Sequence, residues 1–157
     1  MENTFDEKIT RTVNDLVETC KEGMKGYETA AGTVESPQLK SEFSRLSQQR
    51  ATFVNELEST ARQYGITADN ENTLEGVAMD AAGAVHRGWI NLKSALAGNS
   101  SEAILNECEN GDAAALKTYE QALTVSALPP DLIKVIEKQH QEILEAKNHI
   151  TSLKQNT

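Results

Sequence analysis

The chain has 157 residues, 38% of them apolar, which is the size of one domain able to bury one sizeable core. Against 15 Lys and Arg it carries 24 Asp and Glu, for a net charge of -9, and this speaks against nucleic acid and anionic membrane as partners, because both reward basic patches. The amino-terminal MENTFDEKIT is polar and acidic where a secretory signal is basic and then apolar, and no run reaches the roughly 20 apolar residues of a membrane span, so a soluble cytoplasmic protein is expected.

Apolar residues recur with a period near 3.6 almost everywhere, and no segment alternates in the manner of a strand, so the expected class is all-α. The first helix is read over residues 4–33, with Ile9, Val13, Leu16, Val17, Cys20, Met24, Tyr27 and Ala31 on one face. Ser36 followed by Pro37 is a start signal, a capping hydroxyl before an imino acid preorganised for the first helical position. The second helix then carries Leu39, Phe43, Leu46, Phe53, Leu57 and Tyr64 until Gly65 stops it, and Ile66 to Asn72 reads as a surface loop. A third helix is marked by Leu74, Val77, Ala81, Val85, Trp89, Leu92 and Leu96, closed by Gly98 and Asn99. Ser100 or Ser101 opens the fourth, which turns Ile104, Leu105, Cys108, Ala115, Leu116, Tyr119 and Leu123 inward. Leu128-Pro129-Pro130-Asp131 ends it and starts the last, whose seam is Leu132, Ile136, Gln139, Ile143, Ala146, Ile150 and Leu153.

Short connections make neighbouring helices antiparallel. The first and second form one hairpin and the fourth and fifth another; the third then serves as a long crossover that leaves the second and fourth parallel, which is ferritin-like connectivity in a single domain over residues 1–157.

Several motifs agree in order and spacing with one known family. They are Leu16-Val17 with Cys20-Lys21-Glu22-Gly23, Gly26-Tyr27 and Ala30-Ala31, then Gln48-Gln49-Arg50 with Phe53 and Glu56-Leu57, and then His86-Arg87-Gly88-Trp89-Ile90 with Leu92-Lys93. Ile104-Leu105 with Glu107-Cys108-Glu109, Gly111-Asp112, Tyr119 and Ala122-Leu123 complete the pattern. The chain resembles a family of small bacterial ferritin-like proteins classed as a domain of unknown function. The resemblance implies a ferritin-like four-helix bundle with an additional crossover helix between the second and third bundle helices, and it implies no activity. Residues 69–73 depart from the Gly-Ser-rich turn expected there.

Ferritin-like dinuclear sites need one Glu from each of two helices and a Glu-x-x-His from each of the other two, since i and i+3 share a helix face. Only Glu137-Lys138-Gln139-His140 has that spacing; the second helix offers Gln48, Gln49 and Arg50 instead. A mononuclear iron or manganese site from Glu22, Glu109, Glu137 and His140 is the alternative, beside the plainer reading of solvated helix-face charges, and no cofactor is expected. Counting along antiparallel helices puts Glu137 and His140 nearer Glu120 than Glu109. Arg50 falls on the seam between Leu46 and Phe53, where a guanidinium must find carboxylates or bear a desolvation cost. An interior network of Arg50 with Gln49, Glu22, Glu109, Asp112, Tyr27, Tyr119 and Gln139 is therefore expected, the competing reading being an arginine that snorkels to the rim.

His86-Arg87-Gly88-Trp89 reads either as a small-molecule or partner site or, more simply, as core anchoring of the crossover by Trp89, which shares a face with Val85 and Leu92. Cys20 and Cys108 read as buried free thiols. With no phosphate loop and no nucleophile motif, the expected function is a non-enzymatic, stress-associated or structural bundle acting through protein contacts, as a homodimer through a spare apolar face. The alternatives are a ferritin-like metal-binding oxidoreductase or iron-handling protein, and a small-ligand binder.

Overall fold

A computed structural model describes residues 3–66, 89, 92–98 and 100–155 of the protein. Among these residues there is no strand, and there are five helices: α1 (Asn3–Thr33), α2 (Pro37–Arg62), α3 (Leu92–Gly98), α4 (Ser101–Ala122) and α5 (Pro130–Gln155). No described helix is long and apolar enough to cross a membrane.

The helix starts follow local chemistry. The Ser36 side chain accepts from the Leu39 amide at 3.2 Å ahead of Pro37, and Ser100 accepts from the Ala103 amide at 3.3 Å, so each fills one of the donors a first turn leaves open. The end of α2 is a Schellman motif. Gly65 takes φ +77, the Ile66 amide donates to Ala61 O and the Gly65 amide to Arg62 O. That places Ile66 in the core, 7% exposed, where a surface loop was expected to begin. Tyr64, expected on the inner face of α2, instead lies outside it, 43% exposed, with its hydroxyl donating to Asp131. The fourth helix ends at Ala122 rather than at the Leu128-Pro129 pair. Turns follow, Ala127 adopts φ 66, and a left-handed residue breaks any helix that reaches it.

α1 packs on α2 and α4, and α5 packs on the same two, so the four long helices close a ring, with α3 against α4 and α1. Two apolar clusters fill it. One joins the start of α1 (Ile9, Val13), the end of α2 (Leu57, Ala61), the end of α4 (Leu116, Tyr119) and the start of α5 (Leu132, Ile136). The other joins the end of α1 (Tyr27, Val34), the start of α2 (Leu39, Phe43), the start of α4 (Ile104, Leu105) and the end of α5 (Ala146, Ile150). It follows that α2 and α4 run the same way and that α1 and α5 oppose them. Ile66 belongs to the first cluster and Trp89 to the second.

The expected third helix begins at Leu74, but residues 67–88 lie outside the described set, and with them His86, Arg87 and Gly88. Trp89 lies in a turn rather than inside a helix, and Leu92 donates back to its carbonyl to open the seven-residue α3.

Candidate functional site

Where the two apolar clusters meet, each long helix contributes polar side chains to a buried layer. Arg50 stands between Leu46 and Phe53 on α2 and is 1% exposed. Its Nη1 donates to Asp112 Oδ1 at 2.9 Å and its Nε to Gln49 Oε1 at 3.0 Å, while its guanidinium lies 5.3 Å from the centroid of the Tyr27 ring. Tyr27 donates its hydroxyl to the other Asp112 oxygen at 2.6 Å. The Asp112 pair and the Gln49 oxygen offset part of the cost of taking the charge out of water, which a buried ion pair recovers in full only when all its lone pairs and protons are satisfied. Of the guanidinium nitrogens, Nη2 has no hydrogen-bond partner. Gly23 permits the approach, since a Cβ there would lie 3.2 Å from Nη1.

The second half of the layer joins α1, α4, α5 and α2. The Cys20 thiol and the Tyr119 hydroxyl are 2.9 Å apart, and Tyr119 donates to Gln139 Oε1 at 2.6 Å. Gln139 Nε2 donates in turn to the Phe53 carbonyl at 3.2 Å and to Glu56 Oε1 at 2.9 Å. Glu56 is half-buried and meets Lys138 at 3.3 Å, so the chain of hydrogen bonds ends at the surface.

Burial sets the protonation of these groups. It pushes the Cys20 thiol up to about 11, against the smaller opposing effects of the Tyr119 hydrogen bond and the Arg50 charge. Cys108 is raised by burial and then by the Asp112 charge; Tyr27 is raised by burial and then by Asp112, and Tyr119 by burial and then by Cys20. For Arg50, burial is the largest single influence and disfavours the charge, but the charge and hydrogen bond of Asp112 together with Tyr27 and Cys20 outweigh it and hold the guanidinium above its ordinary range. At neutral pH the layer therefore holds one cation, protonated phenols and protonated thiols. That is a set of structural hydrogen bonds without an activated nucleophile.

The other sequence-selected residues lie apart from it. Glu109 was expected inside, and instead faces α5, where Lys154 Nζ reaches it at 2.7 Å and Thr151 donates to it; these partners outweigh burial and lower its pKa. Glu22 is half-buried on α1 and makes no hydrogen bond to the layer. Glu137 is exposed, and His140 Nε2 meets Glu120 at 3.1 Å. Glu22, Glu109, Glu137 and His140 are thus not brought together. Among the described residues no group of three or more His, Cys, Asp or Glu is placed to hold a metal ion. Both cysteines are free and buried.

Two parts of the site escape a reading by sequence periodicity. Glu56 enters only because Gln139 reaches it across the α2–α5 seam. The seat of Trp89 lies between two glycines, Gly26 on α1 and Gly111 on α4. A Cβ would come within 2.7 Å of the indole at the first and 2.0 Å at the second. Mid-helix glycine costs roughly 0.5–1 kcal/mol against alanine, so the two were the available signal.

Residues 8–125 match the family described as a domain of unknown function, DUF2383, and the chain belongs to that family. The match takes in most of α1, all of α2 to α4 and the residues Cys20, Tyr27, Arg50, Trp89, Asp112 and Tyr119; α5, which supplies Gln139, lies beyond it. No match was found among curated proteins.

Proposed function

From membership of that family and the buried layer, we propose that the protein is a non-enzymatic helical scaffold, stress-associated or structural, that acts through protein contacts. We propose further that its ring of helices is a ferritin-like four-helix bundle with a crossover between α2 and α4. The parallel course of those two helices supports this connectivity. Fold does not fix function, and the observation that carries the reading is local. The interior of this bundle, where a ferritin-like protein assembles carboxylates around cations, is occupied by a guanidinium already paired with Asp112, and a fixed cation repels a metal ion.

The contacts proposed are polar. Among the described residues Tyr64 is the one exposed large hydrophobic, and its hydroxyl is tied to Asp131, which favours polar contacts over a homodimer built on a spare apolar face. Metal analysis of protein purified without chelator, together with iron loading and an oxidase assay, tests the reading. We expect no stoichiometric metal and no oxidation of ferrous iron. About two irons per chain, the loading of a dinuclear bundle site, would establish the ferritin-like iron-handling alternative instead. Light scattering after size exclusion tests association: a stable dimer at micromolar concentration would contradict transient polar contact.

A further inference from the structure

Trp89 is 7% exposed and its ring occupies a notch whose walls belong to other elements. The edge carrying Cε3 and Cζ3 lies against Gly26 of α1, and the edge carrying Cε2, Nε1 and Cζ2 lies against Gly111 of α4. The Tyr27 ring meets it edge-on with centroids 5.2 Å apart. A side chain at either glycine position would overlap the indole, so the notch exists only because both positions lack a Cβ.

The next residue along each helix explains how the width of the notch is held. Tyr27 follows Gly26, Asp112 follows Gly111, and the 2.6 Å hydrogen bond between them bolts the two helices together beside the two glycines. Arg50 holds the same carboxylate from α2. The spacing of the walls is therefore fixed by groups on α1, α2 and α4 and needs nothing from Trp89. Apolar cavities that cannot collapse bind flat aromatic molecules of matching shape.

We propose that the Gly26–Gly111 notch is a preformed receptor for one flat aromatic bicycle and that Trp89 is its internal ligand, blocking the site against any external aromatic molecule. A tethered ligand is present at a high effective concentration, so the wild-type chain is self-occupied.

Trp89→Gly with indole as the probe tests this. Indole is expected to bind the variant saturably and raise its melting temperature, to leave the wild type unshifted at the same concentrations, and to fail on Trp89→Gly combined with Gly111→Ala. A folded Trp89→Gly variant that indole does not stabilise would overturn the proposal, and so would equal binding to the double variant. Should Trp89→Gly not fold, the single tryptophan reports on the intact chain. Gly26→Ala and Gly111→Ala improve helix propensity and keep helicity, yet each is expected to evict the indole, seen as red-shifted emission and stronger acrylamide quenching. Tyr27→Phe, which keeps the ring and cuts the bolt, is expected to increase quenching as well. Quenching unchanged in all three variants refutes a notch shaped by the glycines and held by that hydrogen bond.

Discussion

Asp112 is 0% exposed and accepts from two donors on two different helices, so its removal leaves a buried guanidinium without its carboxylate. Asp112→Ala is expected to cost about 3–5 kcal/mol in urea unfolding, whereas Arg50→Met with Asp112→Leu is expected to recover most of it, because no uncompensated charge remains. Equal losses in the single and double variants would show that the charges are not coupled. The donor count also settles the state of Cys20. Both protons of the Gln139 amide are used on Phe53 O and Glu56, so its oxygen accepts from Tyr119; the Tyr119 proton is then spent, and the thiol must donate. Cys20→Ser keeps that donor and Cys20→Ala loses it, at about 1 kcal/mol. The Cys20 pKa is raised on folding from 9.0 to about 11, so its contribution is fully present below pH 9 and is lost as pH climbs toward 11. Cys108, Tyr27 and Tyr119 shift in the same direction. Stability is expected to fall steeply across pH 9–11, less steeply in Cys20→Ser, and a flat profile there would contradict a buried neutral thiol. Arg50 is legible in the sequence because a guanidinium on an apolar seam demands a partner. Which carboxylate answers it is not legible. Glu109 and Asp112 are three residues apart and share a broad face, and the choice between them rests on the reach of Tyr27 from α1 and of Lys154 from α5.

At the scale of the element, helix starts are the most legible feature, since a Ser cap and a Pro act within four residues and depend on nothing distant. Ser36→Ala is expected to lower stability by about 1 kcal/mol, and a thermal melt unchanged within error would show that the Leu39 amide finds another acceptor. Helix ends are harder to read. Periodicity carries the fourth helix past Ala122 because Val125 and Leu128 continue an apolar rhythm, yet Ala127 holds φ 66 and the chain turns. Ala127→Gly removes the left-handed strain and is expected to raise stability by about 0.5–1 kcal/mol; a loss would mean that unfolded-state entropy outweighs the strain. The turn at Trp89 was hidden for a different reason. Val85, Trp89 and Leu92 fit a helical face, and only the glycines on two other helices say where the indole must go.

For the molecule as a whole, the all-α class and the directions of the four long helices follow from apolar period and short connections, and both are local properties. The pairings within the polar layer are not local. Tyr27 and Asp112 are 85 residues apart, Arg50 and Asp112 are 62, Cys20 and Tyr119 are 99, and Gln139 reaches back 83 to Glu56. The α1–α2 hairpin, by contrast, closes across a three-residue connection. Order in time follows from these separations: the hairpin can form early, while a layer that needs all four long helices in register waits for the last of them. Substitutions in the layer such as Asp112→Asn are then expected to accelerate unfolding far more than they slow refolding, with φ-values below about 0.3, and Leu46→Ala in the hairpin is expected to show the reverse. Stopped-flow chevrons decide it, a high φ-value at Asp112 being the contrary result. On this account the buried arginine does little to guide the chain home and much to lengthen its stay there.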